Sequence, residues 1–175
     1  MMILNAIARD LAGWPLTGIN NGYYLQLNDQ LQIEIKLHSK RLFMASVHSC
    51  RFSCSGMHSS SEAYHIQIHQ PGWLRRQAVE FRSRKMAGKA IAAHLNRFAN
   101  LRQTLSELHY RRIELSFDTK GWHCTIEPWA ASEVICRMPP LRRYLRLEKQ
   151  QRMLLLSSLN MINEVLNLWS KNNPI

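Results

Sequence analysis

This sequence predicts an α+β fold: a curved antiparallel sheet of about seven or eight strands, two long helices packed on one face, and a short N-terminal helix. Three patterns predict it. Tyr23, Leu25 and Leu27, then Leu31, Ile33, Ile35 and Leu37, alternate with polar residues at the period of two that half-buried strands show. Ile113, Leu115 and Phe117 alternate in the same way against Arg112, Glu114 and Ser116. Two long stripes have helical spacing instead: Ala87, Ile91, His94, Phe98, Leu101, Leu105 and Leu108, and later Leu155, Leu159, Ile162, Leu166 and Trp169.

Taken in order, Ile3, Leu4, Ile7, Ala8 and Leu11 form one face of a short helix that Gly13 and Pro15 end. A hairpin follows from Gly22, turning at Asn28 and Asp29. A second turn is expected at Ser39 and Lys40, leading into a strand over Leu42 to Cys54. The polar run Ser55 to Ser61 reads as a loop before the strand around Tyr64, Ile66 and Ile68. Pro71 and Gly72 signal a turn, and Trp73 to Phe81 a fifth strand. Lys85 to Leu108 is one helix, or two broken near Asn96 to Asn100. Arg111 to Phe117 turns at Asp118 to Gly121 into Trp122 to Glu127. Pro139 and Pro140 disfavour a helix immediately before Leu141, and the alternation over Leu141 to Leu147 predicts a short edge strand. Glu148 to Ser170 carries an apolar face wide enough for a helix laid across a sheet. Residues 1–175 read as a single domain, long enough to bury a core without disulfides or a metal.

Charge is the best functional clue. The net charge is +11, carried by 16 Arg and 7 Lys against 12 acids. Guanidinium is a fixed cationic fork suited to carboxylates and phosphates, so this balance predicts an acidic partner: nucleic acid, an anionic membrane surface or an acidic protein. Arg75, Arg76, Arg82, Arg84, Lys85 and Lys89 form one cluster, and Arg137, Arg142, Arg143, Arg146, Lys149 and Arg152 another. On a shared face they would make one strongly positive surface whose affinity for a polyanion falls steeply with salt. The plainer reading of each cluster is a solvated face. Trp73 and Tyr144 lie inside the clusters, where an aromatic ring could stack on a base, although core packing is their ordinary use.

Other chemistry is thinly represented. Glu127 and Glu133 are the best-placed carboxylates, flanking Pro128 to Ser132, with His48 a further candidate for a cleft. A structural clamp is the favoured use of both acids, through bidentate pairing with Arg137, Arg142 or Arg143. His48, Cys50 and Cys54 lie in one predicted strand, where residues four apart are separated by about 13 Å and cannot share a metal. Cys124 and Cys136 lack the spacing of a zinc knuckle. His94 falls in a helical seam and reads as a hydrogen-bonded core histidine. With no P-loop, dinucleotide fingerprint, nucleophile elbow or HExxH, no cofactor, metal or catalytic residue is assigned. Arg9 and Asp10 fall where a secretory signal needs an apolar run, so a cytoplasmic protein with reduced cysteines is expected. No apolar run approaches the length of a transmembrane helix.

HSCRFS at 48–53, QPGWLRR at 70–76 and EPWAASEVICRMPPLRRYLRL at 127–147 together give the chain a resemblance to a proteobacterial family of uncharacterised proteins, a domain of unknown function. That resemblance implies a bacterial cytoplasmic protein in which the three segments share one surface, and brings no activity with it. The leading functional expectation is a non-enzymatic binding module, its binding residues Arg75, Arg76, Arg137, Arg142, Arg143 and Arg146 with Trp73 and Tyr144. The alternatives are a protein–protein adaptor or homodimer resembling secretion chaperones, and a small enzyme using Glu127, Glu133 and His48.

Overall fold

The computed structural model of the protein describes residues 2–58, 60–71 and 77–173. Among them are four helices and ten strands, every strand pair antiparallel. The chain runs α1 (Met2–Asp10), β1 (Leu16–Ile19), β2 (Gly22–Asn28), β3 (Leu31–Arg41), β4 (Ala45–Gly56), β5 (Tyr64–His69) and β6 (Glu80–Arg82). It continues through α2 (Met86–Asn96), α3 (Ala99–Glu107), β7 (Tyr110–Asp118), β8 (Gly121–Pro128), β9 (Ser132–Cys136), β10 (Leu141–Leu145) and α4 (Lys149–Asn172). The strand order is β1-β2-β3-β4-β8-β7-β5-β6, with β9 and β10 branching from β4. The fold is thus α+β on a large antiparallel sheet, with more strands and more helices than the sequence predicts.

One face of the sheet is apolar because the alternation is consistent from strand to strand. Leu31, Ile33 and Ile35 of β3, Phe52 and Cys54 of β4, and Trp122, Cys124 and Ile126 of β8 are all buried in one core. The helices close over that face. α4 lies against β4 and β8 through Leu155, Leu159, Ile162 and Leu166, with α3 packed beside it, and α2 lies on β5 and β6. No described helix is long and apolar enough to cross a membrane.

The departures from expectation have local causes. β1 is an additional strand: Ile19 pairs Gly22 across a two-residue turn in which Asn21 adopts φ 65° and donates from Nδ2 to the Leu37 carbonyl at 3.0 Å. Gly22 is required there, since a Cβ would collide with the Ile35 carbonyl oxygen. The β3–β4 turn falls at residues 42–44 rather than at Ser39 and Lys40, because the ladder continues through Arg41↔Ser46. The seam of 85–108 is two helices, α2 and α3, broken within the expected stretch Asn96 to Asn100. The side chain of Asn96, the last residue of α2, bonds the Phe81 backbone twice, accepting from its N–H at 2.9 Å and donating to its carbonyl at 2.8 Å. The fifth strand is reduced to Glu80–Arg82 among the described residues, and its expected start at Trp73 to Arg76 lies outside them.

Candidate functional site

β4 is long enough to hold two partners in succession. Phe52 to Gly56 pair with β8, while Ala45 to Ser49 pair with β9. The chain covers the change of partner with a bulge at Trp129 to Ala131, where Ala131 has φ 53° and its carbonyl accepts from Cys50 N at 3.0 Å. Beyond the bulge, β3, β4, β9 and β10 form a four-stranded extension. Its outer end is made of two neighbouring turns, residues 42–44 and 137–140, joined where Arg137 N donates to the Met44 carbonyl at 2.9 Å.

Strand alternation fixes which side chains share a face. Arg142, Ile135, Ser46 and Arg41 form one cross-strand row on the helix-bearing side, and Tyr144, Glu133, His48 and Ser39 the next. Arg143, Val134, Val47 and Lys40 form a row on the opposite side. A cleft of about 500 Å³ opens on the helix-bearing side at the outer end, lined by Ser39, Arg41, Ser46, His48, Ile135 and Arg137. In it His48 Nδ1 lies 2.7 Å from Ser39 Oγ and Nε2 lies 3.3 Å from Ser46 Oγ.

The acids turn inward. Buried Glu133 receives Arg142 through both oxygens, Nε at 2.6 Å and Nη2 at 3.0 Å. Buried Glu127 accepts from Ser49 Oγ at 2.8 Å, Arg51 Nε at 3.0 Å and Arg111 Nη1 at 3.4 Å, and Arg111 also stacks over Trp129. Burial pushes the Glu127 carboxyl up, but the Ser49 and Arg51 hydrogen bonds and the Arg51 and Arg111 charges outweigh it and hold the carboxyl below its ordinary value. The register puts Glu127, with Ser49 and Arg51, on the open face and Glu133, with His48, on the other. These two carboxylates therefore do not face one cleft and make no acid–base pair with each other.

Asp10, at the end of α1, is a third inward acid. It accepts from Tyr144 Oη at 2.8 Å, Arg146 Nε at 3.0 Å and the Leu147 N–H at 3.0 Å, while its backbone carbonyl accepts from Arg152 Nη1. Burial and then the bond to Asp10 hold the Tyr144 hydroxyl far above its ordinary range, so this ring is part of the α1 contact. Pro139 and Pro140 lie in the β9–β10 turn, and the short edge strand expected after them is β10, Leu141–Leu145, which pairs with β9. Of the arginines expected to project from β10 and just beyond, Arg142 and Arg146 are engaged with acids, and Arg143 is exposed with no carboxylate in ion-pair range among the described residues.

The first basic cluster lies elsewhere. Arg82 pairs with Glu80 at 2.6 Å, and Lys85 donates to Glu62 at 3.4 Å and to the Ala63 carbonyl at 2.7 Å. β6, beside which these residues lie, ends the strand order, whereas β10 hangs from β9, so β5, β7, β8, β4 and β9 separate the two clusters. Trp73, Arg75 and Arg76 lie outside the described residues. Of the three segments carrying the family resemblance, 48–53 and 127–147 are neighbours through β4, β8 and β9. Among the described residues no group of His, Cys, Asp and Glu has a metal-binding arrangement. Cys50, Cys54 and Cys124 are buried thiols, and burial pushes Cys50 up to about 12. His94 packs between Phe98 and Trp169 and hydrogen-bonds the Val165 backbone, as expected of a core histidine, while its Nε2 has no partner among the described residues. Burial lowers its pKa.

At the outer end the sequence reading had Arg137 but missed Lys40 and Arg41. Lys40 and Arg41 close β3, and Arg137 begins the β9–β10 turn, each without a carboxylate in ion-pair range among the described residues. Their signal was the run Lys40-Arg41-Leu42-Phe43-Met44, three consecutive large apolar residues behind two cations.

No curated protein matches this chain, and no solved structure matches it. The match to a family model spans residues 9–166, nearly the whole chain, and the protein therefore belongs to the family described as "Protein of unknown function (DUF3156)".

Proposed function

We propose that the protein is a non-enzymatic binding module that engages an acidic partner through the outer end of the β3–β4–β9–β10 extension. One observation carries this reading. The extension's acid, Glu133, is buried and saturated by Arg142, while Lys40, Arg41, Arg137 and Arg143 stand exposed around the two turns with no carboxylate in ion-pair range among the described residues. Cations paired with buried acids are committed to the fold, whereas these four are available to a ligand. The reading moves the binding surface away from a merger of the two sequence clusters and onto one end of the sheet.

Its test is binding of the full chain to a single-stranded oligonucleotide and to polyglutamate at low and moderate salt. For four neutralised phosphates on a single strand, affinity should fall about 50-fold between about 50 and about 200 mM salt. Replacing Arg41, Arg137 and Arg143 by Gln should weaken binding at least about tenfold, and replacing Arg84 and Lys89 by Gln should have little effect. Absence of binding to either polyanion at low salt, or equal losses in the two variants, would overturn the reading.

A further inference from the structure

The same end of the molecule exposes apolar side chains in a concentration that its charges do not explain. Phe43 is 95% exposed, Met138 74%, Leu141 54%, Leu42 51% and Met44 42%, and all five belong to the two joined turns or the first residue of β10. Lys40 and Arg143 flank them on one face of the sheet, and Arg41 and Arg137 on the other, where the cleft opens beside Ser39, Ser46 and His48.

The partner must satisfy both kinds of group at once. A nucleic acid or a soluble acidic peptide would neutralise the cations, but only Phe43 of the five offers a base a stacking surface, and either partner would leave Leu42, Met44, Met138 and Leu141 in water. A second copy of the chain placed tip to tip would set Lys40, Arg41, Arg137 and Arg143 against their own like charges. An anionic bilayer meets both requirements, since its acyl boundary takes up apolar side chains at the depth where its headgroup phosphates meet a ring of cations. The geometry points to the paired turns as a docking tip for an anionic phospholipid bilayer, with Phe43, Leu42 and Met138 entering the acyl boundary and Arg41 and Arg137 holding headgroup phosphates at the mouth of the cleft. This rests on the proposed binding role of the basic end and names its partner.

The experiment is sedimentation of the full chain with large vesicles of phosphatidylcholine alone or with about 30 mol% phosphatidylglycerol. The wild type should partition onto the anionic vesicles and stay in solution with the zwitterionic ones. Phe43→Ser should lower that partition about tenfold or more without lowering the melting temperature, because the side chain has almost no protein contact to lose. Arg41→Gln with Arg137→Gln should lower it roughly 30-fold, and Arg84→Gln with Lys89→Gln less than about twofold. The proposal is overturned if the wild type does not partition, if Phe43→Ser partitions like the wild type, or if the Arg84 and Lys89 replacements cost as much as those at Arg41 and Arg137. Polyglutamate or oligonucleotide binding through the same cations, with no vesicle binding, would refute the bilayer and leave the basic end standing. Absence of all three would refute that reading as well.

Discussion

Glu127 shows how a single residue in this protein trades solvent for partners. It is almost fully buried on the open face of the sheet, with Ser49 and Arg111 on one oxygen and Arg51 on the other. Its carboxyl is held below the ordinary value of 4.5, so the unfolded chain binds its proton more readily than the folded one. The stability this contributes is complete above the ordinary value and is lost as the pH falls through the lower, folded value. Glu127→Gln should therefore cost about 1–3 kcal/mol at neutral pH. Urea denaturation across the acid range should show the gap from wild type closing as the wild-type carboxyl is protonated. A gap independent of pH would place the residue's worth in shape rather than charge. Much of this was beyond the sequence. Glu127 stood out as a clamp for Arg137, Arg142 or Arg143, but its partners Arg51 and Arg111 come from 76 and 16 positions away, a distance only the ladder closes. Asp10 is a starker case, since its bonds to Tyr144 and Arg146 span 134 and 136 residues and nothing local marks it as a hub.

At the scale of elements, alternation and helical spacing were legible wherever one face of a segment meets the core. β2, β3, β7, β8, α1 and α4 follow their periods closely for that reason. β9 was harder, because Val134 to Cys136 are only half-buried, whereas β10 was legible as the short edge strand after Pro139 and Pro140. β1 was lost to the Gly13 and Pro15 stop signal that precedes it, although Asn20-Asn21-Gly22 is itself a hairpin signal. Gly22 is the position at which that hairpin tests itself. Its Cα approaches the Ile35 carbonyl so closely that any side chain must push β2 away from β3. Gly22→Ala should destabilise the protein by about 2 kcal/mol, as overpacking of a rigid backbone contact does. Hydrogen exchange should show reduced protection concentrated in β1 and β2, and a variant as stable and as protected as the wild type would remove the argument.

Across the whole molecule, charge divides into two populations with different jobs. One consists of arginines folded onto buried acids: Arg51 and Arg111 on Glu127, Arg142 on Glu133, Arg146 on Asp10. The other is exposed, and its members are far apart. Arg41 lies in the row of Ser46, whereas Arg82, beside Arg84 and Lys89, lies in the row of Ser53 and several strands across, which puts the two ends on the order of 30 Å apart at normal strand spacing. That exceeds the Debye length of about 8 Å at physiological ionic strength, so charge at α2 acts on a ligand at the outer turns through the long-range field alone. The two groups should separate kinetically. Replacing Arg84 and Lys89 by Gln should slow association with a polyanion or vesicle modestly at about 10 mM salt, where the Debye length is about 30 Å, and not at about 150 mM. Replacing Arg41 and Arg137 should speed dissociation at both, because those side chains touch the ligand. Stopped-flow rates for the two variants at the two salt concentrations would decide it. If the Arg84 and Lys89 variant changed the dissociation rate at the higher salt, the ligand would have to reach α2, and the outer turns could not be the whole binding surface.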